Sequence, residues 1–402
     1  MLAGIRSVWP LLAAITVLAL GNGLNGSLVS LQSQAADFDA SVTGIIMSGY
    51  PLGLIAGTWI TARLVRHVGQ IRVFAAFASC LSTVVLLIPL WVDPVWWFGM
   101  RFLTGLCITG LYVVCESWLN AASTNANRGR LLAVYSILLY AAMGLGQLLL
   151  NVEDESGFVR FILLSALFSL SLVPVSLVKA DVPPVGQARS VSLATIYRAS
   201  PLAFIATILN GVGQNAFFSM GAVYGVKQGL SISSVSVMMM MATLALAVTQ
   251  FPFGWLSDRY DRRKVLMWLS FMAAVAAGAC FVGGLVSPLA LIVLFTIFGG
   301  LSLPLYSLVL AHANDHLHRD QMLGASGKLA LIYGLGAVAG PLISGWAMRQ
   351  FGGAGFMGLM IAVYGAMGLF ALWRMLRRPG LELSSGVAPV PPLSASVGLD
   401  RG

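Results

Sequence analysis

Charged residues are scarce in this sequence. Asp, Glu, Lys and Arg make up 9% of its 402 residues, compared with about 25% in an average soluble domain. Hydrophobic residues make up 58%, and the mean hydropathy is +0.88. A soluble chain of this length would need more polar surface to cover its core, and a disordered chain would be poor in apolar residues. Both classes are therefore excluded, and the composition predicts a polytopic membrane protein.

Cysteines and intramembrane carboxylates are also few. None of the cysteines has a CxxC spacing, so neither a disulfide framework nor a metal site is expected from Cys80, Cys107, Cys115 and Cys280. The sequence lacks a Walker A loop, which argues against an ATP-driven pump. Glu116 alone supplies neither a nucleophile with a base nor a carboxylate pair, which argues against an enzyme. A divalent cation would need several carboxylate ligands, so it is not the expected substrate. We expect no cofactor and no resident metal.

Twelve apolar runs are long enough to cross a bilayer, which takes about 20 residues as a helix. They are predicted at residues 9–31, 41–64, 71–92, 95–120, 130–151, 158–178, 200–225, 233–256, 264–285, 288–312, 322–347 and 353–376. The loop after the second run weakly resembles the loop after the eighth, which is typical of two parallel six-helix repeats. The sequence thus predicts a six-helix bundle at 1–178, a cytoplasmic linker at 179–199, a second bundle at 200–376 and a disordered cytoplasmic tail at 377–402.

The basic residues lie in short clusters between the apolar runs. If the N-terminus is cytoplasmic, almost all Lys and Arg outside the spans are cytoplasmic, whereas the outer loops carry Asp37, Asp39, Asp93, Glu153, Asp154 and Glu155. This distribution follows the positive-inside rule. The net charge of +9 therefore reflects topology rather than nucleic-acid binding. We expect a multi-pass protein of the cell (inner) membrane with both termini in the cytoplasm.

One loop carries a specific motif. Residues 254–264 read Gly-Trp-Leu-Ser-Asp-Arg-Tyr-Asp-Arg-Arg-Lys. This resembles the signature loop G-x-L-x-D-R-x-G-R-R of the major facilitator superfamily and departs from it only at Asp261. The first-half counterpart is eroded, with Arg66 in place of the usual acid. Arg101 to Gly105 and Gly336 to Pro341 resemble two further family elements.

A second set of segments, beginning at Glu116, Asn127 and Gly146, resembles the poorly characterised bacterial branch of YcaD-like permeases. Together these resemblances imply an all-α membrane protein with 12 transmembrane helices in two pseudo-symmetric six-helix bundles. They also imply a transport role, with no settled substrate.

The signature loop contains an acid among basic residues, and this combination suggests a gate. A carboxylate at one helix end can accept hydrogen bonds from the N-terminus of a neighbouring helix. The resemblance implies that Asp258 and Arg259 face the start of the fifth span and latch the two halves while the cavity faces outward. The alternative is that these charges only fix topology. The predicted gating residues are Gly254, Asp258, Arg259, Arg262, Arg263, Arg128 and Arg130.

Two charged residues lie inside the fourth span. Arg101 is about six residues into it, or roughly 9 Å deep, where a charge is costly unless it faces a cavity or a partner. It could bind substrate, or its side chain could snorkel to the surface. Glu116 is 15 residues further along, about 22 Å away, so the two cannot pair directly. Glu116 could carry a coupling proton, because burial favours the neutral carboxyl, or it could form a structural ion pair with Arg128, Arg130 or Arg66.

Amides and aromatic residues complete the predicted site. Asn22 with Asn25, and Asn210 with Gln214, have the spacing that places two side chains on one helix face. The resemblance places the first, fourth, seventh and tenth spans around a central cavity, which adds Tyr112, Phe217 and Tyr306. Each amide could instead join two helices, as polar residues in lipid commonly do.

These features predict a secondary active transporter. Amides, aromatics and one fixed cation suit a small neutral or weakly anionic organic solute. We expect alternating access, coupling to a proton gradient by symport and uptake of a nutrient or vitamin. The alternatives are an efflux antiporter for drugs or metabolites, and a non-transporting membrane sensor on the same fold. The expected partners are the small-molecule substrate and membrane lipid, with no nucleic acid, and we expect a monomer.

Overall fold

The computed structural model describes residues 2–123, 128–154, 157–177, 192–317 and 319–377, and every regular element in these ranges is helical. Twelve helical stretches among them are long and apolar enough to cross a membrane. The first six, α1 to α6, are Trp9–Ala35, Ala40–Val68, Gln70–Leu90, Pro94–Asn120, Gly129–Asn151 and Val159–Ser176. The second six, α7 to α12, are Pro201–Lys227, Ile232–Arg259, Arg262–Gly284, Pro288–Asn314, Ala325–Phe351 and Gly353–Arg377. The predicted number of spans and the predicted fold class are confirmed.

Successive spans run in opposite directions because most of the loops that join them are short. The loops therefore collect at two ends of the molecule. We call one the acidic end, which carries Asp37, Asp39, Asp93, Glu153 and Asp154. We call the opposite one the basic end, which carries Arg66, Arg72, Arg130, Arg259, Arg262 and Arg263. Two acidic-end residues also cap helices, since Asp39 accepts from the Val42 N–H and Asp93 from the Trp96 N–H.

Each half of the chain has its own apolar core. One cluster of buried side chains extends from Leu11 to Val175, and another contains residues from Leu202 to Ala371 together with Ala40. The outward faces of the spans are apolar as well: Val248, Val275 and Leu289 are 71%, 73% and 70% exposed. Such surfaces suit contact with lipid. The protein is therefore a multi-pass membrane protein with two helical bundles.

The predicted linker and tail lie mostly outside the described residues. Of 179–199, residues 192–199 are described, and they contain a short helix, Leu193–Ala199. Its first turn is capped by Ser192, which accepts from the Thr195 N–H at 3.1 Å. Of the predicted tail 377–402, only Arg377 is described, as the last residue of α12.

Glycines allow very close packing of α2 on α4. A Cβ at Gly53 would overlap the carbonyl oxygen of Phe102, and one at Gly105 would overlap that of Tyr50. In the second bundle, a Cβ at Gly336 would overlap the Ile208 carbonyl of α7. Small residues at helix interfaces in lipid let backbones approach in this way. The close packing of these helices therefore depends on the absence of a side chain at Gly53, Gly105 and Gly336.

A proline interrupts α10, which consists of the helices Pro288–Ser302 and Leu305–Asn314. Pro304 has no N–H to donate to the carbonyl four residues earlier, which is that of Gly300. The Thr249 hydroxyl of α8 donates to this carbonyl at 2.7 Å. A neighbouring helix thus satisfies the backbone group that the break exposes, as a membrane interior requires.

The two bundles touch each other at the acidic end. Arg349 pairs with Asp39 at 3.5 Å, and the Asn151 amide donates to the Ser236 hydroxyl at 3.1 Å. A Cβ at Gly345 of α11 would overlap the Ala40 carbonyl of α2. We call this set of contacts the acidic-end seal. These contacts hold the bundles together at that end.

Candidate functional site

A cavity of about 230 Å³ lies between the two bundles. Its lining comes from α1, α2, α4 and α5 of the first bundle and from α7, α8 and α11 of the second. Two of the predicted elements, α1 and α7, contribute most of its amides, including Asn22, Asn25, Gln214 and Asn215. The cavity therefore combines groups from both halves, so any relative motion of the bundles changes its shape.

Arg101 lines this cavity and is 3% exposed. Its guanidinium lies over the ring of Tyr50 from α2, with the carbon Cζ 4.6 Å from the ring centroid. Its Nε and Nη1 atoms have no hydrogen-bond partner among the described residues. The cation is therefore held by an aromatic face while part of its donor edge remains free.

Tyr50 extends from Arg101 into a hydrogen-bonded chain. Its hydroxyl donates to the Asn22 side-chain oxygen at 3.4 Å, and the Asn22 amide nitrogen donates to the Tyr112 hydroxyl at 3.3 Å. The structure thus brings together three predicted residues, Arg101, Asn22 and Tyr112, through one residue that sequence reasoning missed. The signal for Tyr50 was present, because it precedes Pro51 in a polar, glycine-rich part of a span.

A second polar group lies across the cavity. The Tyr333 hydroxyl of α11 donates to the Gln214 side-chain oxygen at 2.5 Å and accepts from the Asn215 amide at 3.1 Å. The Tyr306 ring packs on that of Tyr333 with centroids 4.7 Å apart. Gln214 was predicted and lines the cavity, whereas the predicted Tyr306 supports Tyr333 from behind. Tyr333 itself was missed.

Two other predicted amides differ in their surroundings. Asn25 is buried, lines the cavity, and has no partner for either side-chain polar atom within the described part of the chain. Asn210 is also buried and equally unpartnered among the described residues, but it is absent from the described lining of this cavity. Of these two amides, Asn25 is therefore the one whose unpartnered polar atoms lie beside the cavity.

Phe217 does not lie where the sequence analysis placed it. It is 0% exposed, and its ring stacks on that of Phe295 with centroids 5.0 Å apart. It belongs to the core of the second bundle, and Phe218 lines the cavity in its place. Adjacent helical residues point about 100° apart, so only one of the two can face the cavity. Phe217 is therefore corrected to a core residue.

Glu116 lies towards the basic end of α4. Its carboxylate accepts a hydrogen bond from the Tyr135 hydroxyl of α5 at 3.1 Å. The salt bridges within the described residues do not include Glu116. The side chain of Arg128, one of its predicted partners, lies outside the described residues. Glu116 is thus tied to a neutral hydroxyl, an arrangement that tolerates both the charged and the neutral carboxyl.

The signature loop is tied to its own bundle. Arg262 pairs with Asp258 at 2.8 Å and with Asp315, just beyond α10, also at 2.8 Å. Burial raises the pKa of Asp315, although the charge of Arg262 opposes this shift. Arg259 lies over the Trp255 ring at 4.2 Å. Among the described residues, Asp258 therefore has its partner within the second bundle, and the side chain of Arg128 lies outside those residues.

Asp261, the one departure from the signature, caps α9. It accepts from the backbone N–H of Arg263 at 2.9 Å and pairs with the Arg263 guanidinium at 2.8 Å. The hydrogen bond from Arg263 lowers the pKa of Asp261. A Cβ at Gly254 would meet no atom within 4 Å. The predicted gating glycine is thus unconstrained here, and Asp261 has gained a structural role.

Comparison with known proteins agrees with this architecture. A sequence model of the Major Facilitator Superfamily matches residues 11–247 and 203–397. The chain belongs to this family of transporters and is not an enzyme.

Its similar relatives include two proteins named uncharacterized MFS-type transporter YcaD. The one from Escherichia fergusonii is 27% identical over 355 residues, covering 86% of this chain and 90% of the relative. The one from Salmonella newport is 26% identical over 384 residues, covering 93% of this chain and 96% of the relative. The predicted resemblance to this branch is confirmed.

Solved structures share the fold at lower identity. A bacterial homologue of the human lysosomal transporter Spinster, in an inward-facing and occupied conformation, has a TM-score of 0.73 at 14% identity, covering 92% of this chain and 97% of that chain. The nucleoside transporter NupG has a TM-score of 0.71 at 15% identity, covering 91% of this chain and 98% of that chain. At these identities the likeness supports the fold alone.

Proposed function

We propose that this protein is a secondary active transporter that moves a small neutral or weakly anionic organic solute across the cytoplasmic (inner) membrane. The observation that carries the proposal is the cavity between the bundles, which is lined from both sides by amides, tyrosines and Arg101. Transport by alternating access needs a site at the interface of two repeats that can move against each other. The cavity has that position.

The distribution of Lys and Arg supports a cytoplasmic basic end with both termini inside. In this orientation we propose that the acidic-end seal closes the outer side and that the present conformation is inward-facing. The solute would reach Arg101 from the outside only after the seal opens. Since one chain forms the whole cavity, we propose that the working unit is a monomer.

Glu116 is the proposed proton carrier. It lies inside α4 towards the basic end, and its hydrogen-bond partner is the neutral Tyr135 hydroxyl. A carboxyl without a fixed cation can gain and lose a proton at modest cost. We therefore propose proton symport, with uptake of a nutrient or vitamin as the direction. Efflux of a drug or metabolite by antiport is the alternative.

A comparison of metabolites tests transport even while the solute is unidentified. Cells that make the protein are compared with cells that make Arg101→Ala at equal abundance in the membrane. We expect one small solute to be enriched only with the unchanged protein, and a protonophore to abolish the enrichment. Depletion would indicate efflux instead of uptake. Identical metabolite contents would contradict transport and favour a non-transporting sensor.

A further inference from the structure

We infer that the cavity binds a small organic monocarboxylate, with the carboxylate group paired to Arg101. This inference rests on the proposed transport function and adds the chemical class of the solute. It concerns binding to the free protein, so it can be tested without measuring transport.

The lining of the cavity carries a positive charge that no described acid balances. Arg101 is the one charged residue among the described residues that line it. No salt bridge within the described residues includes Arg101, and the nearest acid on its own helix, Glu116, is about 22 Å away along α4. A buried cation without a counter-ion is unfavourable, and an anionic ligand would relieve it.

The second step is the geometry of the free guanidinium edge. The face of the guanidinium is occupied by the Tyr50 ring, whereas its N–H groups lie in the plane and point outward from the edge. Nε and Nη1 have no partner within the described chain. A carboxylate presents two oxygens in one plane and can accept at once from two neighbouring N–H groups, one on Nη2 and one on Nε or Nη1. Tyr50 thus orients Arg101 for a flat anion.

The third step is the number of charges that the ligand carries. With one cation and no described carboxylate in the lining, a monoanion is balanced, whereas a dianion would bring a second buried charge without a partner. A cation would be repelled by Arg101. Asn25 adds a free donor and a free acceptor, and Tyr140, Phe218 and Tyr333 provide apolar surface for the body of the ligand. The ligand is therefore a small monocarboxylate with a partly apolar body.

The test compares acids with their uncharged amides of nearly the same shape. Benzoate and lactate, paired with benzamide and lactamide, are added to the purified full-length protein in detergent, and thermal unfolding is followed. We expect at least one acid to raise the midpoint and its amide to bind roughly 30-fold more weakly or worse, as loss of a buried charge pair predicts. Equal effects of acid and amide, or no effect of either acid, would overturn the inference.

Variants identify the site of binding. Arg101→Gln should weaken binding of the acid by roughly 30-fold or more, whereas Arg101→Lys keeps the charge and should lose less. Arg72→Gln, the same change at an exposed arginine of the basic end, should bind like the unchanged protein. If Arg101→Gln fails to fold, Arg101→Lys and the comparison of acid with amide still show whether the carboxylate pairs with Arg101. Equal loss in Arg101→Gln and Arg72→Gln would show non-specific attraction and contradict the inference.

The two proposals fail in different ways. If a neutral or cationic solute is transported and neither acid binds, transport stands and the monocarboxylate is wrong. If an acid binds at Arg101 and cells with and without the protein have identical metabolites, the binding site stands and transport is wrong.

Discussion

Buried polar atoms without partners separate binding residues from packing residues. An unpaired buried polar group is costly, so it persists where something else offsets the cost, such as a ligand. Arg101 and Asn25 are in this condition and line the cavity, whereas each polar atom of the Asn22 side chain has a partner, Tyr50 or Tyr112. We therefore propose ligand contact for Arg101 and Asn25 and a positioning role for Asn22.

The proposed proton carrier gives a prediction at a single residue. Glu116→Gln keeps an acceptor for the Tyr135 hydroxyl but cannot release a proton. Uptake by the unchanged protein should rise as the outer pH falls, because a larger gradient drives more protons through Glu116. In Glu116→Gln we expect uptake that no longer depends on pH and no accumulation against a gradient, measured as solute uptake into vesicles at several outer pH values.

A matched control for this experiment is Glu153→Gln, which makes the same change in an exposed loop of the acidic end. It should keep the pH dependence of the unchanged protein. An unaltered pH profile in Glu116→Gln would leave Glu116 with only its structural bond to Tyr135.

The sequence predicted the polar members of the site better than the aromatic ones. Charges and amides within a span are rare and costly, so Arg101, Asn22, Asn25 and Gln214 stood out, and all four line the cavity. Aromatic residues occur on every face of a membrane helix, so the choice between Phe217 and Phe218 depended on the rotation of α7, which periodicity does not fix in an apolar helix. Tyr333, on α11, was missed for the same reason.

At the scale of the helix, the contact of α2 with α4 sets the position of Tyr50 against Arg101. Gly53→Ala should destabilise the first bundle by about 1–3 kcal/mol, because the new methyl group would overlap the Phe102 carbonyl. Thermal unfolding in detergent measures the loss. Gly99→Ala is the control, since a Cβ there meets no atom within 4 Å. Equal stability of the two variants would contradict the close packing.

The signature loop gives a second prediction at this scale. The pair of Asp258 with Arg262 is exposed and worth only about 0–1 kcal/mol. If Asp258 latches the bundles in the opposite conformation, Asp258→Asn should favour the present one. A cysteine at Tyr140 should then react faster with a membrane-impermeant maleimide from the basic end and more slowly from the acidic end.

Asp315→Asn is the control for the latch, because it removes the other partner of Arg262 within the same bundle. It should leave both labelling rates close to those of the Tyr140→Cys parent. Equal changes of the labelling rates in the two aspartate variants, or no change in Asp258→Asn, would contradict the latch. The charges of the signature loop would then serve only to fix the topology.

Sequence predicted where the helices begin and end but not where they break. Long apolar runs bounded by charges and by capping residues such as Asp93 located every span to within a few residues. The interruption near Pro304 was not predicted, since Pro51, Pro252 and Pro341 lie inside continuous helices. Whether a proline interrupts its helix depends on whether a neighbour such as Thr249 satisfies the freed carbonyl. This is a property of the tertiary structure, which the local sequence does not contain.

For the whole molecule, the repeat in the sequence predicted two bundles, but it did not predict the contacts of the acidic-end seal. The conformations of a transporter differ by a few kcal/mol at most, since both must be populated during the cycle. The acidic-end seal contains a solvent-exposed ion pair, Arg349 with Asp39, and small-residue contacts such as Gly345 with Ala40. Contacts of this kind can be made and broken repeatedly.

The central claim is that the cavity opens to each side in turn. Distances between spin labels test it most directly, in protein whose four native cysteines have been replaced. One label pair, at Asp37 and Gln350, spans the acidic end, and another, at His67 and Tyr260, spans the basic end. We predict that Asp258→Asn or a change of pH moves the two distance distributions in opposite directions, one lengthening as the other shortens. Distances that stay fixed, or that lengthen together, would contradict alternating access.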